Sequence, residues 1–453
     1  MSLTDRLRAV VRSGGSAAHG GSCSPDPPYA GRPGAADGAY PASADPASTA
    51  GQTDRDRITD VLGGEWREWR GQPYLVVDRT YLPGHRHGRV AVVDGAPGPG
   101  GSWPALAILE PAMGENGRVV FIDIETTGLA GGAGTYAFLI GCAWFDGGVF
   151  RVRQFLLASY AAERGILEAV RDLVGSAGAL ATYNGKSFDL PVVETRFVLH
   201  RMAAPFGDVP HLDMLHQARR LWKAPGRDAE GAATCRLTAV EAAVLGHVRE
   251  GDVPGFEIPS RYFRYVRSGD PRPLAAVLEH NRLDLLSLAL LTARVALLAE
   301  QGVSAAATAC EALGLGRLYQ RAGRLADARA CYARAAGLDA AASGGSLDTD
   351  EVATRAEALR AYASLCRRAR EHDAAAAAWH GVLDLPDCPP PLAREAREAL
   401  AVHYEHRLRD FQTARRLAMQ ALQCGPSTAR AQAVHYRVAR LDRKLSPTPT
   451  PFF

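Results

Sequence analysis

Two acidic residues, Asp123 and Glu125, stand two positions apart in a hydrophobic run that begins at Val119. Side chains alternate across a β-strand, so both carboxylates face the same side if this run is a strand. Neighbouring buried carboxylates are costly unless a cation lies between them, and hard divalent cations take oxygen ligands of this kind. The pair therefore predicts a metal site. This segment alone leaves open a second interpretation, in which both acids face solvent at the end of the strand.

Further candidate ligands lie in two later segments. Asp189 follows the run Asn184–Phe188, and Asp284 lies in a helical pattern with His280 four positions before it. Residues four apart share a helix face, so His280 and Asp284 are expected to lie side by side. Taken singly, Asp189 is explained as a helix N-terminal acid and His280 as a packed helix residue. Their chemical meaning comes from the order in which the segments occur.

That order resembles the DEDD superfamily of exonucleases, whose motifs are an Asp-x-Glu strand, an Asn-x-x-x-Phe-Asp turn, and a His or Tyr shortly before a final Asp. Within that superfamily the chain is similar to the bacterial YprB-like group of ribonuclease-H-like proteins, over roughly residues 60 to 300. The segments that carry this similarity are His211–His216, Leu237–Gly246, Ile258–Pro259 and His280–Asp284. The resemblance implies an α/β domain with a ribonuclease-H-like mixed sheet flanked by helices.

It also implies a metal-dependent 3′–5′ exonuclease of DNA or RNA that uses two Mg²⁺ or Mn²⁺ ions. Under this resemblance Asp123 bridges both ions, Glu125 and Asp284 complete the site of the first ion, and Asp189 holds the second. His280 takes the proton of the attacking water. In the His-type enzymes the histidine stands five residues before the final Asp, whereas here the interval is the four residues of the Tyr-type branch. His280 therefore occupies a tyrosine-like position.

A segment after the acids suggests how nucleic acid is held. Between Ser260 and Arg267, the arginines Arg261, Arg264 and Arg267 alternate with three aromatic residues, a mixture that pairs with phosphates and stacks on single-stranded bases. An amphipathic connector with core aromatics is the alternative. Two residues beside the motif acids complete the candidate nucleic-acid-binding set, Thr126 and Asn184. Asn281, Asp213 and Glu241 are secondary candidates for which a structural role is favoured.

The hydrophobic pattern predicts the elements that position these residues. Three consecutive strands are followed by alternating helices and a fourth strand, which is typical of a mixed sheet with helices on both faces. The predicted strands are 119–124, 136–145, 149–157 and 179–183, and the predicted helices are 161–174, 187–200, 213–222 and 274–298.

The rest of the chain divides into three regions. Residues 1–55 are rich in Gly, Pro, Ala and Ser and predict a disordered arm. Residues 56–101 predict a short β-rich segment in which His85 and His87 lie in a surface turn, followed by the nuclease-like domain at 117–300. Residues 305–445 predict tetratricopeptide-like helical repeats, with a plain helical bundle as the alternative. Because repeats contact mainly their neighbours, we expect the domain to fold without them. The residues with repeat-like spacing are Ala312, Leu315, Gly316, Tyr319, Ala328, Tyr332 and Ala335.

The net charge, the cysteine spacing and the hydrophobic pattern of the whole chain limit the classes of protein that need to be considered. A net charge of +3 over 453 residues does not by itself indicate a nucleic-acid partner, and the eight cysteines form no zinc spacing. We expect a cytoplasmic protein with reduced thiols and no membrane segment. The alternative to an active nuclease is an interaction protein, whose helical repeats recruit a protein partner and whose nuclease-like domain binds nucleic acid with weak or no cleavage. Endonucleolytic cleavage is a third possibility.

Overall fold

A seven-stranded mixed sheet lies at the centre of the first half of the chain in the computed structural model, which describes residues 49–98, 103–114, 117–128, 132–225, 235–338, 348–423 and 428–446. The strands follow the spatial order β1-β2-β7-β6-β5-β8-β9. They are β1 (Glu65–Trp69), β2 (Gln72–Tyr81), β5 (Val119–Thr126), β6 (Ala137–Asp146), β7 (Val149–Leu156), β8 (Ala179–Thr182) and β9 (His211–Asp213). A separate two-stranded ladder pairs β3 (Arg86–His87) with β4 (Val90–Ala91).

The central strand β5 carries the two acids of the first motif. It pairs antiparallel with β6 and parallel with β8. Its odd-numbered apolar residues Val119 and Phe121 join one hydrophobic core, and its even-numbered residues join the core on the opposite face. Asp123 and Glu125 continue the odd-numbered series, so the alternation of the strand places both on the Phe121 face.

Helices cover both faces of the sheet, as expected. They are α1 (Thr49–Leu62), α2 (Glu163–Val174), α3 (Asp189–Leu199), α4 (Met214–Leu221), α5 (Leu237–Val240), α6 (Ile258–Ser268) and α7 (Arg272–Gln301). The long helix α7 passes from one core to the other. Its early residues, such as Val277 and Leu278, pack in the core that holds Ile124, whereas its residues from Leu285 onward pack with Phe121. The crossing falls between Leu278 and Leu285, where His280 and Asp284 lie.

The N-terminal segment is part of this sheet. The hairpin of β1 and β2 joins it because β2 pairs antiparallel with β7. Three details differ from the sequence expectations. Residues 49–55, assigned to a disordered arm, begin helix α1, whose Ile58 and Leu62 enter the core; residues 1–48 lie outside the described ranges. His87, expected at the surface, is buried. Residues 92–93 of the predicted β-rich segment lie in a 3₁₀ turn, where Val92 is buried in the core.

The second half of the described chain is all helical, which confirms the predicted fold class. Its helices are α8 (Ala309–Arg321), α9 (Leu325–Ala336), α10 (Thr349–Arg368), α11 (His372–Asp384), α12 (Pro390–His403), α13 (Phe411–Gln423) and α14 (Thr428–Leu445). Each packs against the next in sequence. A Cβ atom on Gly316 would lie 2.5 Å from the Tyr332 ring, so α8 and α9 approach closely only because this residue is glycine. The tetratricopeptide type of these repeats stays a prediction.

The first helical pair shares a core with the sheet domain. Leu313, Leu315 and Tyr319 of α8 belong to the same buried cluster as Phe121 and Leu285. A Cβ atom on Gly314 would lie 2.3 Å from the Arg220 carbonyl oxygen of α4, so these backbones also touch.

Buried polar contacts cross the same boundary. The carboxylate of Glu311 accepts hydrogen bonds from the Trp222 indole at 3.0 Å and from Arg294 at 2.6 Å. Residues on both sides of the boundary drawn near residue 300 from the sequence therefore share one hydrophobic core.

Truncation after Gln301 is expected to lower the yield of soluble protein and the melting temperature, because it exposes the apolar surface that α8 and α9 cover. A chain that ends at Leu338 keeps this pair and is the matched control. Thermal melting of the two truncations beside the full chain measures the difference. Equal melting of the 301 truncation and the full chain would contradict this expectation.

In the part of the chain that the structure describes, no helix has both the length and the apolar character needed to cross a bilayer. Six of the eight cysteines lie in that part as free thiols, and four of them are buried, at positions 142, 235, 331 and 366.

Candidate active site

Asp123 and Glu125 end the central strand on the face that α7 crosses. Register with β6 shifts between Glu125 and Thr126, so the strand pairing becomes irregular where the acids are presented. Glu125 is buried. The Thr126 hydroxyl donates to the Gly128 carbonyl at 2.9 Å and holds the turn that follows the strand.

Asn281 of α7 fixes the Asp123 carboxylate. Its side-chain amide donates to Asp123 Oδ2 at 2.8 Å and to the Asp123 carbonyl at 3.1 Å. Its own Oδ1 accepts from Gln154 Nε2 at 2.8 Å, which orients the amide. A Cβ atom on Gly141 would lie 2.3 Å from Asn281 Oδ1, so glycine is required opposite it. The structural role favoured for Asn281 from the sequence is thus an orienting contact to a candidate metal ligand.

His280 and Asp284 share one face of α7, as their spacing predicts. Within the described residues, Glu125, His280 and Asp284 form a group whose ligand atoms all lie within 4.8 Å of one another. His280 Nε2 lies 3.5 Å from Asp284 Oδ2. The other ring nitrogen, Nδ1, lies 2.7 Å from Asp252 Oδ1. If Nδ1 donates to this carboxylate, Nε2 is the lone-pair nitrogen on the Glu125 and Asp284 side.

Asp189 begins α3 after a loop that Asp213 organises. The Asp213 carboxylate accepts from the backbone N–H groups of Asn184 at 2.8 Å and Lys186 at 3.2 Å, and it also caps α4. Asn184 adopts a left-handed φ of 66°, which asparagine tolerates better than most residues. Its side chain is exposed and Asp189 is buried. Asp213 therefore supports the loop, as the sequence favoured.

Burial and mutual repulsion govern the electrostatics of this group. Burial raises the pKa of Asp123 well above its usual range, and the charges of Asp284, Glu125 and Asp189 raise it further. Burial raises the pKa of Glu125 in the same direction, with Asp284 and Asp189 adding to it. Burial, Asp213 and Asp284 together raise the pKa of Asp189 to about 7. A site of repelling buried carboxylates is the environment that a bound divalent cation relieves.

Without metal, the melting temperature is expected to rise as the pH falls from 8 towards 5. Acids whose folded pKa exceeds the unfolded value bind more protons when folded, so stability decreases as pH rises from the unfolded pKa through the folded one. For Asp189 that window runs from its ordinary value of 3.8 to about 7. Scanning fluorimetry in EDTA from pH 5 to pH 8, repeated with Mg²⁺, measures both effects, and Mg²⁺ should stabilise most at pH 8. A flat profile in EDTA would argue against the repelling cluster.

The donor set fits a hard divalent cation. Carboxylate oxygens dominate and a single imidazole stands beside them, whereas no cysteine belongs to the group. Such ligands suit Mg²⁺ and Mn²⁺ better than zinc. The residues that would hold these ions are Asp123, Glu125, Asp189 and Asp284, and His280 is close enough to be a further ligand.

Arg249 is a member of the site that the sequence did not reveal. Its Nη2 donates to Asp284 Oδ1 at 2.5 Å, and its Nη1 donates to Asp252 Oδ2 at 3.1 Å. Neither Arg249 nor Asp252 belongs to the motifs of the resemblance, and both lie in an irregular segment before α6. The only sequence signal was their place between the resembling segments 237–246 and 258–259.

The arginine-aromatic segment forms α6, and its residues divide by face. Tyr262 and Tyr265 are core residues, as the connector alternative required, whereas Arg264, Arg267 and Phe263 are exposed. Arg261 pairs with Glu257 at 3.3 Å. Arg261 and Arg264 line a surface cavity of about 560 Å³. The exposed face of α6 therefore carries Arg264 and Arg267, and the contact of this segment with nucleic acid stays a prediction.

The sheet domain is similar in sequence to known proteins. Residues 120–296 match the family model RNase_H_2, of the RNase_H superfamily. The chain is also 40% identical over 172 residues to a Bacillus subtilis (strain 168) protein described as "Uncharacterized protein YprB". That alignment covers 38% of this chain and 40% of the relative, so the chain spans about two fifths of the relative's length. Members of the RNase H-like superfamily generally hydrolyse phosphodiester bonds with divalent metal ions. The first half of this chain thus contains an RNase H-like domain, and an all-helical region follows it.

Proposed function

We propose that this protein is a metal-dependent phosphodiesterase that removes nucleotides from the 3′ end of DNA or RNA. The observation that carries the proposal is the convergence of four carboxylates and one histidine from three separate segments. Glu125, His280 and Asp284 group within 4.8 Å, and the charges of Asp284 and Asp189 raise the pKa of Asp123.

The chain's own residues suit this chemistry. Bound divalent ions would supply an activated water and neutralise the charge that develops on the phosphate. His280 Nε2 would accept the proton of that water, and the contact of Nδ1 with Asp252 would hold the ring in the required tautomer. Asn281 keeps Asp123 turned towards the acidic group. The 3′–5′ polarity comes from the resemblance to DEDD exonucleases.

Incubation of the purified protein with end-labelled oligonucleotides tests the proposal. Single-stranded RNA and DNA, labelled at the 5′ or the 3′ end, are each incubated with Mg²⁺, Mn²⁺ or EDTA. A ladder of 5′-labelled products that shortens one nucleotide at a time, only with metal, is expected. Internal fragments would indicate an endonuclease. Absence of cleavage with every substrate and ion would favour the alternative, an interaction protein with an inactive nuclease-like domain.

Replacing Arg261, Arg264 and Arg267 together by alanine is expected to weaken binding of single-stranded oligonucleotides and to flatten its salt dependence. Removal of one arginine–phosphate ion pair reduces the slope of log K against log salt by about 0.7. Turnover at saturating substrate should change little, since these side chains are outside the acidic group. Fluorescence anisotropy over a range of salt concentrations measures the slope. Alanine at three exposed arginines of the helical region, Arg334, Arg367 and Arg368, is the control; equal slopes in both triple variants would assign α6 a connecting role only.

A further inference from the structure

Arg249 is held in the acidic site by a dedicated buried partner. Its Nε and Nη2 donate to the two oxygens of Glu241 at 2.6 and 2.9 Å, a bidentate pair. The side chains of Arg249 and Glu241 are 4% and 1% exposed. The two outward contacts of the guanidinium both go to site carboxylates, Asp284 and Asp252.

Glu241 is itself anchored from two further elements. The Ser287 hydroxyl of α7 donates to Glu241 Oε2, and the His87 ring lies 2.7 Å from the same hydroxyl through Nε2. His87 is buried and stacks on His247 with ring centroids 3.8 Å apart. Burial lowers the pKa of His87 to about 3, so the ring is neutral and adds no charge. The Arg249–Glu241 pair is therefore fixed between the β3–β4 ladder, which carries His87, and helix α7, which carries Ser287.

Arg249 differs in its burial and its partners from arginines that bind the phosphate groups of a substrate. Its side chain is almost fully buried, and its donors reach Glu241, Asp252 and Asp284. A purely structural arginine would need only Glu241, because one buried carboxylate already compensates its charge. The two extra contacts lead to the carboxylate that would ligate metal and to the carboxylate that orients His280.

We propose that Arg249 is a resident cation of the acidic site: it occupies Asp284 Oδ1 and would compete with a divalent ion for this carboxylate, which would offer its Oδ2 as the ligand atom. This inference rests on the proposed function for the metal's role. Arg249 is a positioning residue: it fixes the orientation of Asp284 and, through Asp252, that of His280. Glu241 compensates the charge of Arg249 as a whole, but the guanidinium contacts Asp284 directly and so weakens the attraction of this carboxylate for a divalent ion.

If Arg249 has this role, its removal should have opposite effects on metal affinity and on turnover. Removing the resident cation increases the negative charge facing an incoming ion, so metal affinity should rise. The same change frees Asp284 and Asp252 to rotate, so turnover should fall by about 10- to 100-fold, as for other partners of metal ligands. KM for an oligonucleotide should stay near the wild-type value because Arg249 is buried away from solvent. A residue with only a structural role would lower metal affinity and turnover together.

The test compares the double variant Glu241→Gln/Arg249→Met with the wild-type full-length protein. Changing both partners avoids an unpaired buried charge, which a single Arg249→Met change would leave behind. Mn²⁺ affinity is measured without nucleic acid, by the paramagnetic resonance signal of free Mn²⁺, and melting temperature is measured in parallel. We expect tighter Mn²⁺ binding in a folded double variant. Its net charge is unchanged, but the cation that contacts Asp284 directly is removed, whereas the lost charge of Glu241 is paired with that cation.

A matched control exists in the Glu163–Arg196 pair, which is also buried and bidentate at 2.6 and 2.7 Å. Glu163→Gln/Arg196→Met should leave Mn²⁺ affinity unchanged. Unchanged or weaker Mn²⁺ binding in Glu241→Gln/Arg249→Met overturns the proposal, and so does failure of this double variant to fold. If the wild type binds Mn²⁺ and cleaves no substrate, the proposed function fails while the binding comparison still decides the role of Arg249.

Discussion

Asp123→Asn is expected to abolish phosphodiester cleavage and to raise the melting temperature of the metal-free protein. The change removes the charge of the proposed bridging ligand, and with it the catalytic ions. It also removes a carboxylate that the neighbouring acids repel. Burial and the charges of these neighbours raise the pKa of Asp123. Asn281 can still donate to the side-chain oxygen of the new residue, so the local packing is kept.

Cleavage of a labelled oligonucleotide and melting in EDTA measure the two effects on the same preparation. Asp146→Asn, at the exposed end of β6, is the matched control and should behave as wild type. If Asp123→Asn kept full activity and contaminating nuclease were excluded, the assignment of the site would be wrong. Lower melting in EDTA would mean that Asp123 supports the fold through its charge.

His280→Ala is expected to reduce turnover by roughly 10²- to 10⁴-fold, the usual contribution of a positioned general base. The histidine is held by Asp252 at 2.7 Å, and its Nε2 faces Asp284 at 3.5 Å. If His280 acts as the base on the attacking water, the Mn²⁺ affinity of His280→Ala should be nearly that of the wild type. Asp252→Asn, which disturbs the orientation of the ring and one contact of Arg249, should show a smaller decrease of the same kind.

The same variant distinguishes a base from a ligand. Because His280 belongs to the group with Glu125 and Asp284, a direct bond to metal is the competing role. A decrease in Mn²⁺ affinity parallel to the decrease in turnover would assign that role. His280→Tyr should retain more activity than His280→Ala, since the interval to Asp284 is that of the tyrosine-type enzymes. Equal turnover for alanine, tyrosine and wild type would reduce His280 to a packed helix residue.

Local patterns in the sequence were enough to predict most of the fold. The four strands and four helices predicted around the site lie within a few residues of their observed bounds, because apolar alternation and helical periodicity reflect local burial. Strand β9 and helix α6 were not predicted. The alternation in β5 also predicted that Asp123 and Glu125 share a face. The extent of the family resemblance and the helical pairs that follow predicted a boundary near residue 300. That boundary stays a prediction, and local patterns did not show that Leu313 and Tyr319 of α8 pack into the core of the sheet domain.

The sequence by itself determined the types of chemical group at the candidate site, their order along the chain and the central strand that presents the first two. Only the tertiary structure decided what surrounds them. Arg249, Asp252 and Glu241 meet residues of helix α7 through hydrogen bonds between groups 28 to 46 positions apart in the chain. No local periodicity encodes such contacts, because they arise where α7 crosses from one face of the sheet to the other. The balance of charge in the site, one buried arginine among its carboxylates, therefore follows from packing alone.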